Sequence, residues 1–130
     1  MLKKLAAQIG WFIIVGCAAA ATHWAVAVAC VAGAGLRPLV ANVVGWLVAF
    51  CVSFSGHYRL TFRHQHAPLV RAAVRFFMVS ALGFAVNETA YAALLKWTTI
   101  RYDILLALVL IAIAGLTFIL GRYWAFRHSR

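Results

Sequence analysis

Acidic residues are scarce in this sequence, and so are charged side chains of any kind. Only Glu88 and Asp103 among its 130 residues are acidic, and charged residues make up 11%, against about 25% in an ordinary soluble domain. So few charges cannot cover the water-facing surface of a soluble domain of this length. Glu88 also has no second acid nearby in the sequence with which to divide acid and base roles, as a glycosidase does. We therefore predict neither a soluble protein nor an enzyme.

Cysteine clusters and glycine-rich motifs are also missing. The three cysteines are odd in number, show no C-x-x-C spacing and lie in apolar segments: Cys17, Cys30 and Cys51. They are typical of small apolar fillers. The sequence contains no His/Cys set at metal-ligand spacing, no glycine-rich phosphate loop and no Ser/His/Asp set. It therefore predicts no catalytic residue, no metal and no cofactor.

Long apolar stretches dominate what remains. Hydrophobic residues make up 66% of the chain, and the mean hydropathy is +0.95. A helix needs about 20 apolar residues to cross a bilayer, where lipid offers backbone groups no hydrogen-bonding partner. The first stretch follows Lys3 and Lys4 as in a signal peptide, but it is too long for one. We predict an all-α polytopic membrane protein with a single transmembrane domain, 1–130, and four spans at about 9–31, 39–56, 76–95 and 104–120.

The basic residues are distributed unevenly about these spans. They form short clusters between apolar runs, which is typical of juxtamembrane charge and not of a nucleic-acid-binding surface, so no nucleic acid is expected as a partner. The cytoplasmic side of a membrane protein carries the excess of Lys and Arg. Here one side has Lys3, Lys4, Arg59, Arg63, Arg71, Arg75, Arg122, Arg127 and Arg130, and the other has Arg37, Lys96 and Arg101. This predicts that both termini are cytoplasmic.

The two halves of the sequence repeat weakly. A shift of sixty-four residues aligns Phe12 with Phe76, and 61–64 with 125–128. Each half then forms a two-helix hairpin that begins and ends in the cytoplasm. Because each half has an even number of spans, we expect parallel repeats related by an axis along the membrane normal.

Two sets of residues predict how the helices are placed. Small residues let helix backbones approach closely in lipid, and a stripe of them on the second helix is expected to face a neighbouring helix: Ala41, Gly45, Ala49 and Ser53. Tryptophan and tyrosine are enriched at membrane interfaces, and most members of a second set are expected to be anchors there: Trp11, Trp46, Trp97, Tyr102, Tyr123 and Trp124.

Glu88 is predicted to lie near the middle of the third span, beside Asn87. A carboxyl group at that depth must be neutral, paired or turned into a polar interior. It serves either as an interhelical hydrogen bond that fixes packing or as a coupling or substrate site. Thr22 and His23 fall at a similar depth in the first span, and a His23–Glu88 pair is expected. Asn87 and Asn42 are expected to form hydrogen bonds between helices.

Arginines near the predicted cytoplasmic face, among them Arg59, Arg63 and Arg122, also have two interpretations. A guanidinium group matches the oxygens of a phosphate. Topology alone, however, places arginine on this side.

One motif resembles that of a known family. The end of the fourth span reads Gly121-Arg122-Tyr123-Trp124-Ala125-Phe126, which is similar to an Asn-Arg-x-Trp-x-Phe ending without its Asn, and His57 to Phe62 is a looser copy. With Phe12 and Gly16 in the first span, the four spans and the basic central loop, the chain resembles the GtrA-like family of small four-helix membrane proteins.

This resemblance implies a role in cell-surface polysaccharide synthesis in the bacterial cytoplasmic membrane, as a flippase for a polyprenyl-phosphate-linked sugar. Arg59 and Arg122 would receive the phosphate. Four deeper residues would bind the sugar hydroxyls: Glu88, Asn87, His23 and Asn42. The expected partners are membrane lipid, the lipid-linked sugar, a membrane glycosyltransferase and a second copy of the chain. Two alternatives remain: a non-transporting anchor or partner of a glycosyltransferase, and a small proton-coupled drug efflux protein, although that family carries its Glu in the first helix.

Overall fold

Four long helices make up most of the part of the chain that the structure describes. The computed structural model describes residues 1–63, 66 and 68–127, and in the last helix it describes side chains as far as residue 116. The helices are α1 (Leu2–Ala34), α2 (Pro38–Gly56), α3 (Leu69–Trp97) and α4 (Tyr102–Arg127). A π-helical segment, His57–Thr61, continues α2. The predicted all-α membrane fold is confirmed.

Each helix is longer than the span predicted for it. α1 has 33 residues, which corresponds to about 50 Å, whereas the hydrocarbon core of a bilayer is about 30 Å thick. Hydropathy marks only the part of a helix that lies in lipid, while the helix itself continues into the interface. Among the described residues, α1, α3 and the segment Pro38–Thr61 are long and apolar enough to cross a membrane, and α4 adds a shorter apolar stretch, Tyr102–Leu116.

The turn between α1 and α2 follows the signals in the sequence. Gly35 ends α1 in the left-handed region, with φ 71°, which glycine adopts without steric cost. The N–H groups of Gly35 and Leu36 donate to the carbonyl groups of Val31 and Cys30. Pro38 then occupies the first turn of α2, where its missing N–H leaves no hydrogen bond unmade.

Close packing of α1 on α2 forms half of the bundle. The small residues Ala41, Gly45 and Ala49 are buried, and Ser53 is half-buried. A Cβ built on Gly45 would lie 2.6 Å from the His23 carbonyl oxygen, and one built on Gly56 would lie 2.7 Å from Val15 Cγ1. The helices therefore approach where only glycine fits, and the predicted small-residue stripe is confirmed as a contact face.

Side-chain hydrogen bonds hold the second hairpin together and connect it to the first. Tyr91 on α3 is fully buried, and its hydroxyl donates to the carbonyl group of Tyr102. The indole N–H of Trp24 on α1 donates to the carbonyl group of Asp103 at the start of α4. These bonds join three helices at the end of the bundle that carries the short loops. The opposite end, where α1 begins and α2 ends, is called the basic end below.

Candidate functional site

Four polar side chains from three helices form one hydrogen-bonded group, called the polar cluster below. Nε2 of His23 lies 2.6 Å from Oδ1 of Asn42. The amide nitrogen of Asn42 donates to Oδ1 of Asn87 at 2.8 Å and to Oε1 of Glu88 at 3.2 Å. His23, Asn42 and Asn87 are buried, and Glu88 is half-buried. Because Oδ1 of Asn42 only accepts, Nε2 of His23 is the donor in their bond.

Backbone packing explains why these residues meet. Gly45 lies one helical turn after Asn42 and allows α2 to touch the backbone of α1 at His23. Asn42 is 0% exposed, so its amide group must find partners within the protein. It uses both ends of the amide: the oxygen towards α1 and the nitrogen towards α3. His23 and Asn87 are also equivalent positions under the sixty-four-residue shift, so both halves contribute to the cluster.

The predicted His23–Glu88 pair is wrong in its connectivity. Among the described residues, the side chain that hydrogen-bonds to both is Asn42, which lies between them. Thr22, the other expected partner of Glu88, donates its hydroxyl to the carbonyl group of Ala18 on its own helix. The sequence identified the depth shared by His23 and Glu88 but could not show which side chain would connect them.

The cluster lies closer to the short-loop end of the helices than to the basic end. At a rise of 1.5 Å per residue, Asn42 is about 6 Å from Pro38 at the start of α2 but about 28 Å from Thr61. Glu88 is likewise nearer to Trp97 than to Leu69 along α3. A group that enters at the basic end therefore has to pass most of the bundle before it reaches these hydrogen-bonding atoms.

The cluster offers hydrogen bonds, not a catalytic set. It contains one carboxyl group, two amides and one imidazole, which together supply the donors and acceptors that a sugar hydroxyl needs. No group of three or more His, Cys, Asp or Glu residues suitable for a metal ion occurs in the part of the chain that the structure describes. The arrangement is suited to binding a polar, uncharged group or to holding a proton on Glu88.

A continuous row of aromatic rings runs along the interface between α2 and α3. Trp46 stacks on Phe84 with 4.6 Å between ring centroids and contacts Phe77 at 5.4 Å. Phe77 meets Phe50 edge-on at 5.3 Å. The aromatic row, as it is called below, comprises Trp46, Phe50, Phe54, Phe76, Phe77 and Phe84.

The aromatic row joins the polar cluster to the basic end. At one end, Phe84 lies 6.4 Å from the His23 ring. At the other, Phe76 lies 5.6 Å from the ring of His57, which Phe12 also contacts at 5.0 Å. Sequence reasoning placed Trp46 among the interfacial anchors and missed this row. Positions 46, 50 and 54 are spaced by four, which puts three rings on one face of α2. This spacing could have predicted the aromatic row.

Trp46 has a polar partner within the row. Its indole N–H donates to the hydroxyl of Ser80 at 2.8 Å. Ser80 stands where the repeat would place a glycine equivalent to Gly16. Trp46 is half-buried, and this hydrogen bond gives its indole N–H an acceptor within the protein and fixes the indole plane against Phe84.

Two pockets flank the end of α2 at the basic end. The aromatic pocket, of about 200 Å³, is lined by Phe54, His57, Tyr58, Phe62, Arg63, His66, Ala72 and Phe76. The basic pocket, of about 340 Å³, is lined by Lys4, Leu5, Ala7, Gln8, Trp11, Leu60, Thr61, Phe62 and Arg63. Phe62 and Arg63 separate the two. The side chains of His57 and Thr61 hydrogen-bond to each other at 2.9 Å across the π-helical turn.

Of the two predicted phosphate-binding arginines, the structure describes only the side chain of Arg59. Arg59 is exposed and is absent from both linings. Arg63, which the sequence offered only as one arginine among several, lines both. The chain is π-helical after Gly56. Each arginine therefore lies on a different face from the one it would occupy if the α-helix continued. The side chain of Arg122 lies outside the described residues.

A family model described as "GtrA/DPMS, transmembrane domain" matches residues 11–126 of the chain. The matched range contains the polar cluster and the aromatic row. Comparison with curated proteins and with solved structures gives no match.

Proposed function

The chain belongs to the GtrA/DPMS transmembrane-domain family, and we propose that it moves a polyprenyl-phosphate-linked sugar across the bacterial cytoplasmic membrane for cell-surface polysaccharide synthesis. The polar cluster is the observation that carries this proposal. Polar side chains within membrane-spanning helices cost free energy and are associated with substrate pathways. Here three helices each contribute to one hydrogen-bonded group around Asn42.

The chemistry of the substrate matches what the bundle offers. The polyprenyl tail stays in lipid, so only the phosphate and the sugar need a polar route. Hydroxyl groups of a sugar exchange hydrogen bonds with amide, imidazole and carboxyl groups such as those of the cluster. Four helices leave little room for an enclosed channel, and the route we propose is a groove open to lipid.

The aromatic row supplies a surface for that groove. One face of a sugar ring presents C–H groups, which pack on an aromatic face, while its hydroxyl groups point outwards. Phe77 is 41% exposed, so the row is accessible from the membrane side. In the route we propose, the sugar passes along the row from the basic end to the cluster, and hydrogen bonds at the cluster replace those lost on leaving the cytoplasmic surface.

Reconstitution tests this proposal directly. Purified protein is placed in liposomes with a short-chain polyprenyl-phosphoryl sugar added to one leaflet, and the appearance of the sugar in the other leaflet is measured. We expect transfer faster than in liposomes without protein or with an unrelated four-helix membrane protein. Transfer at the rate of these controls would contradict the proposal.

A cellular experiment separates transport from the alternative of a glycosyltransferase anchor. In a deletion strain, the glycosyltransferase that acts with this chain is fused to an unrelated membrane anchor. If the chain transports its substrate, this fusion fails to restore surface sugar modification, because the sugar still cannot cross. Restoration by the fusion would favour the anchor.

A further inference from the structure

The amide group of Asn42 sets the direction of every hydrogen bond in the polar cluster. Its oxygen accepts from Nε2 of His23 at 2.6 Å. Its nitrogen donates to Oδ1 of Asn87 and to Oε1 of Glu88, so both N–H groups of the amide are used. Asn42 is fully buried, and water cannot replace a partner that is lost. The orientation of this one amide group therefore decides which neighbour donates and which accepts.

A half-turn of the amide group would reverse all three bonds. An amide nitrogen and an amide oxygen are similar in size, so the reversed orientation fills the same space. Nδ2 of Asn42 would then donate to Nε2 of His23, which can accept only if the ring hydrogen is on Nδ1. On α3, Oδ1 of Asn42 would accept from the amide nitrogen of Asn87, after the same rotation there, and from the hydroxyl of a protonated Glu88.

The protonation state of Glu88 selects between the two orientations. An ionised carboxylate only accepts hydrogen bonds, so in the reversed orientation the oxygens of Asn42 and Glu88 would face and repel each other. The ionised form therefore keeps the orientation seen in the structure. The protonated form carries an O–H that needs an acceptor, because lipid offers none. The reversed amide of Asn42 supplies that acceptor.

From this asymmetry we propose that Asn42 couples the protonation of Glu88 on α3 to the tautomer of His23 on α1. When Glu88 takes up a proton from water, the amide of Asn42 rotates. His23 then loses the hydrogen at Nε2 and gains one at Nδ1 by exchange with water. The net change is one proton bound to Glu88, and His23 stays neutral. Asn42 is thus a positioning residue that links two helices without itself titrating.

The placement of the His23 ring makes its tautomer important to a ligand. Cδ2 of the ring would lie 2.9 Å from a Cβ built on Gly45, and Nε2 contacts Asn42, so this edge of the ring faces α2. Nδ1 is on the opposite edge and has no hydrogen bond within the described residues. No fully buried side-chain nitrogen or oxygen in that part of the chain lacks a partner, so Nδ1 is accessible.

Nδ1 of His23 therefore accepts a hydrogen bond from a ligand hydroxyl while Glu88 is ionised, and it donates one while Glu88 is protonated. A proton on α3 changes what α1 offers to the ligand. The identity of this ligand as a sugar rests on the proposed function; the coupling itself does not.

The other acidic, basic and phenolic groups near the cluster keep their charge between about pH 5 and 8. Residues 5–36 and 38–56 contain no Asp, Glu, Lys or Arg. Tyr91 on α3 and Tyr102 at the start of α4 belong to a residue type that ionises only near about pH 10. Asp103 is hydrogen-bonded to Arg101, which holds the pKa of its carboxyl group below the usual value. A change of charge in the cluster therefore comes from its own carboxyl or imidazole group.

The single glutamate of the chain makes the coupling measurable by NMR without a transport assay. The full chain, labelled with ¹³C-glutamate and ¹⁵N-histidine, is placed in phosphatidylcholine nanodiscs and titrated with acid. The carboxyl signal reports the ionisation of Glu88. The ring ¹⁵N shifts report which nitrogen carries the hydrogen, and the signal lost in His23→Gln identifies His23 among the five histidines.

We expect the Nε2–H tautomer of His23 while Glu88 is ionised and the Nδ1–H tautomer while it is protonated. The ratio of the two tautomers should change about tenfold, which is within the usual range for coupled sites. The imidazolium form, in which both nitrogens carry hydrogen, has its own shifts and is counted separately.

Two variants and a control test the path of the coupling. Glu88→Gln removes the charge that excludes the reversed orientation, so it should show a larger share of Nδ1–H than the unmodified chain with ionised Glu88, and this share should not vary with pH while His23 is neutral. Asn42→Leu keeps a similar shape without the amide, and the tautomer should no longer follow Glu88. Thr22→Val, at a similar depth on α1, should keep the coupling. If Asn42→Leu does not accumulate, the titration and Glu88→Gln decide.

Several outcomes would overturn the coupling. They are Nε2–H as the main tautomer beside a protonated Glu88, Nδ1–H beside an ionised one, and imidazolium formation before any Nδ1–H appears. Persistence of the tautomer change in Asn42→Leu, or no added Nδ1–H in Glu88→Gln, would also overturn it. Coupling without transport in liposomes would leave the coupling standing and refute the proposed function. Transport without coupling would do the reverse.

Discussion

The backbone of Gly45 lies directly against the backbone of His23. A Cβ built on Gly45 would be 2.6 Å from the carbonyl oxygen of His23 and 2.9 Å from Cδ2 of its ring. A backbone oxygen cannot move aside as a flexible side chain can, so any side chain here must separate α1 from α2. Since Asn42 hydrogen-bonds to His23 one turn away, packing at Gly45 and the polar cluster depend on each other.

Gly45→Ala is therefore expected to destabilise the protein by about 1 to 3 kcal/mol, the usual cost of overpacking a close contact. The measurement is the thermal unfolding midpoint, Tm, in detergent. Gly83→Ala is the matched control, because a Cβ at Gly83 meets nothing within 4 Å and alanine favours the helix by about 0.5 to 1 kcal/mol. A Tm for Gly45→Ala equal to that for Gly83→Ala would contradict this account.

Patterns that act along one helix could be predicted from the sequence, and so could the interhelical hydrogen bonding of Asn42 and Asn87, whereas the full set of partners across the helices could not. Apolar length located all four helices, and the spacing of Ala41, Gly45 and Ala49 identified a contact face. The role of Asn42 as the link between His23 and Glu88 depends on how three helices are rotated against each other, which hydropathy does not determine. The same reason explains why the sequence could not show that Arg63, and not Arg59, would line the two pockets. The π-helical turn changes the face on which each later residue falls, and nothing in the composition of residues 57–61 indicates it.

The aromatic row gives a second prediction, at Phe77. Phe77→Leu keeps an apolar side chain but removes one aromatic face from the proposed route. We expect the transport rate to fall about two- to tenfold, as for the loss of one stacking contact of about 0.5 to 1.5 kcal/mol. The liposome assay measures this rate. Met78→Leu is the control, since Met78 is adjacent in sequence and 66% exposed. If both variants transport at the unmodified rate, the row serves packing alone.

The orientation of the chain gives a third prediction. Nine basic residues lie on one side of the predicted spans and three on the other, so we expect both termini in the cytoplasm. A reporter fused after Arg130, or inserted between Gln65 and Pro68, should report a cytoplasmic location, and one inserted near Arg101 should report a periplasmic location. A periplasmic C-terminus would overturn the charge argument.

Glu88 gives the prediction on which the assignment of the polar cluster depends. Glu88→Gln removes the ionisable group but keeps a side-chain oxygen that can accept the hydrogen bond from Asn42, so the cluster can still form. If Glu88 only packs helices, both folding and transport should stay near normal. If it exchanges a proton or needs its charge to engage sugar hydroxyls, transport should be lost while the protein still elutes as a single species. We expect the second outcome.

The control for Glu88→Gln is Thr22→Val, which removes a polar group at a similar depth on α1. Thr22 hydrogen-bonds only within its own helix, to Ala18, in the contacts described above, so this variant should transport at the unmodified rate. Transport is measured in matched liposomes from pH 5 to 8, a range of roughly three units that contains the ordinary titration of histidine, so that a change confined to one pH is not missed. If Glu88→Gln matches Thr22→Val throughout this range, Glu88 is a structural residue, and the remaining three members of the cluster would have to bind the sugar without a carboxylate.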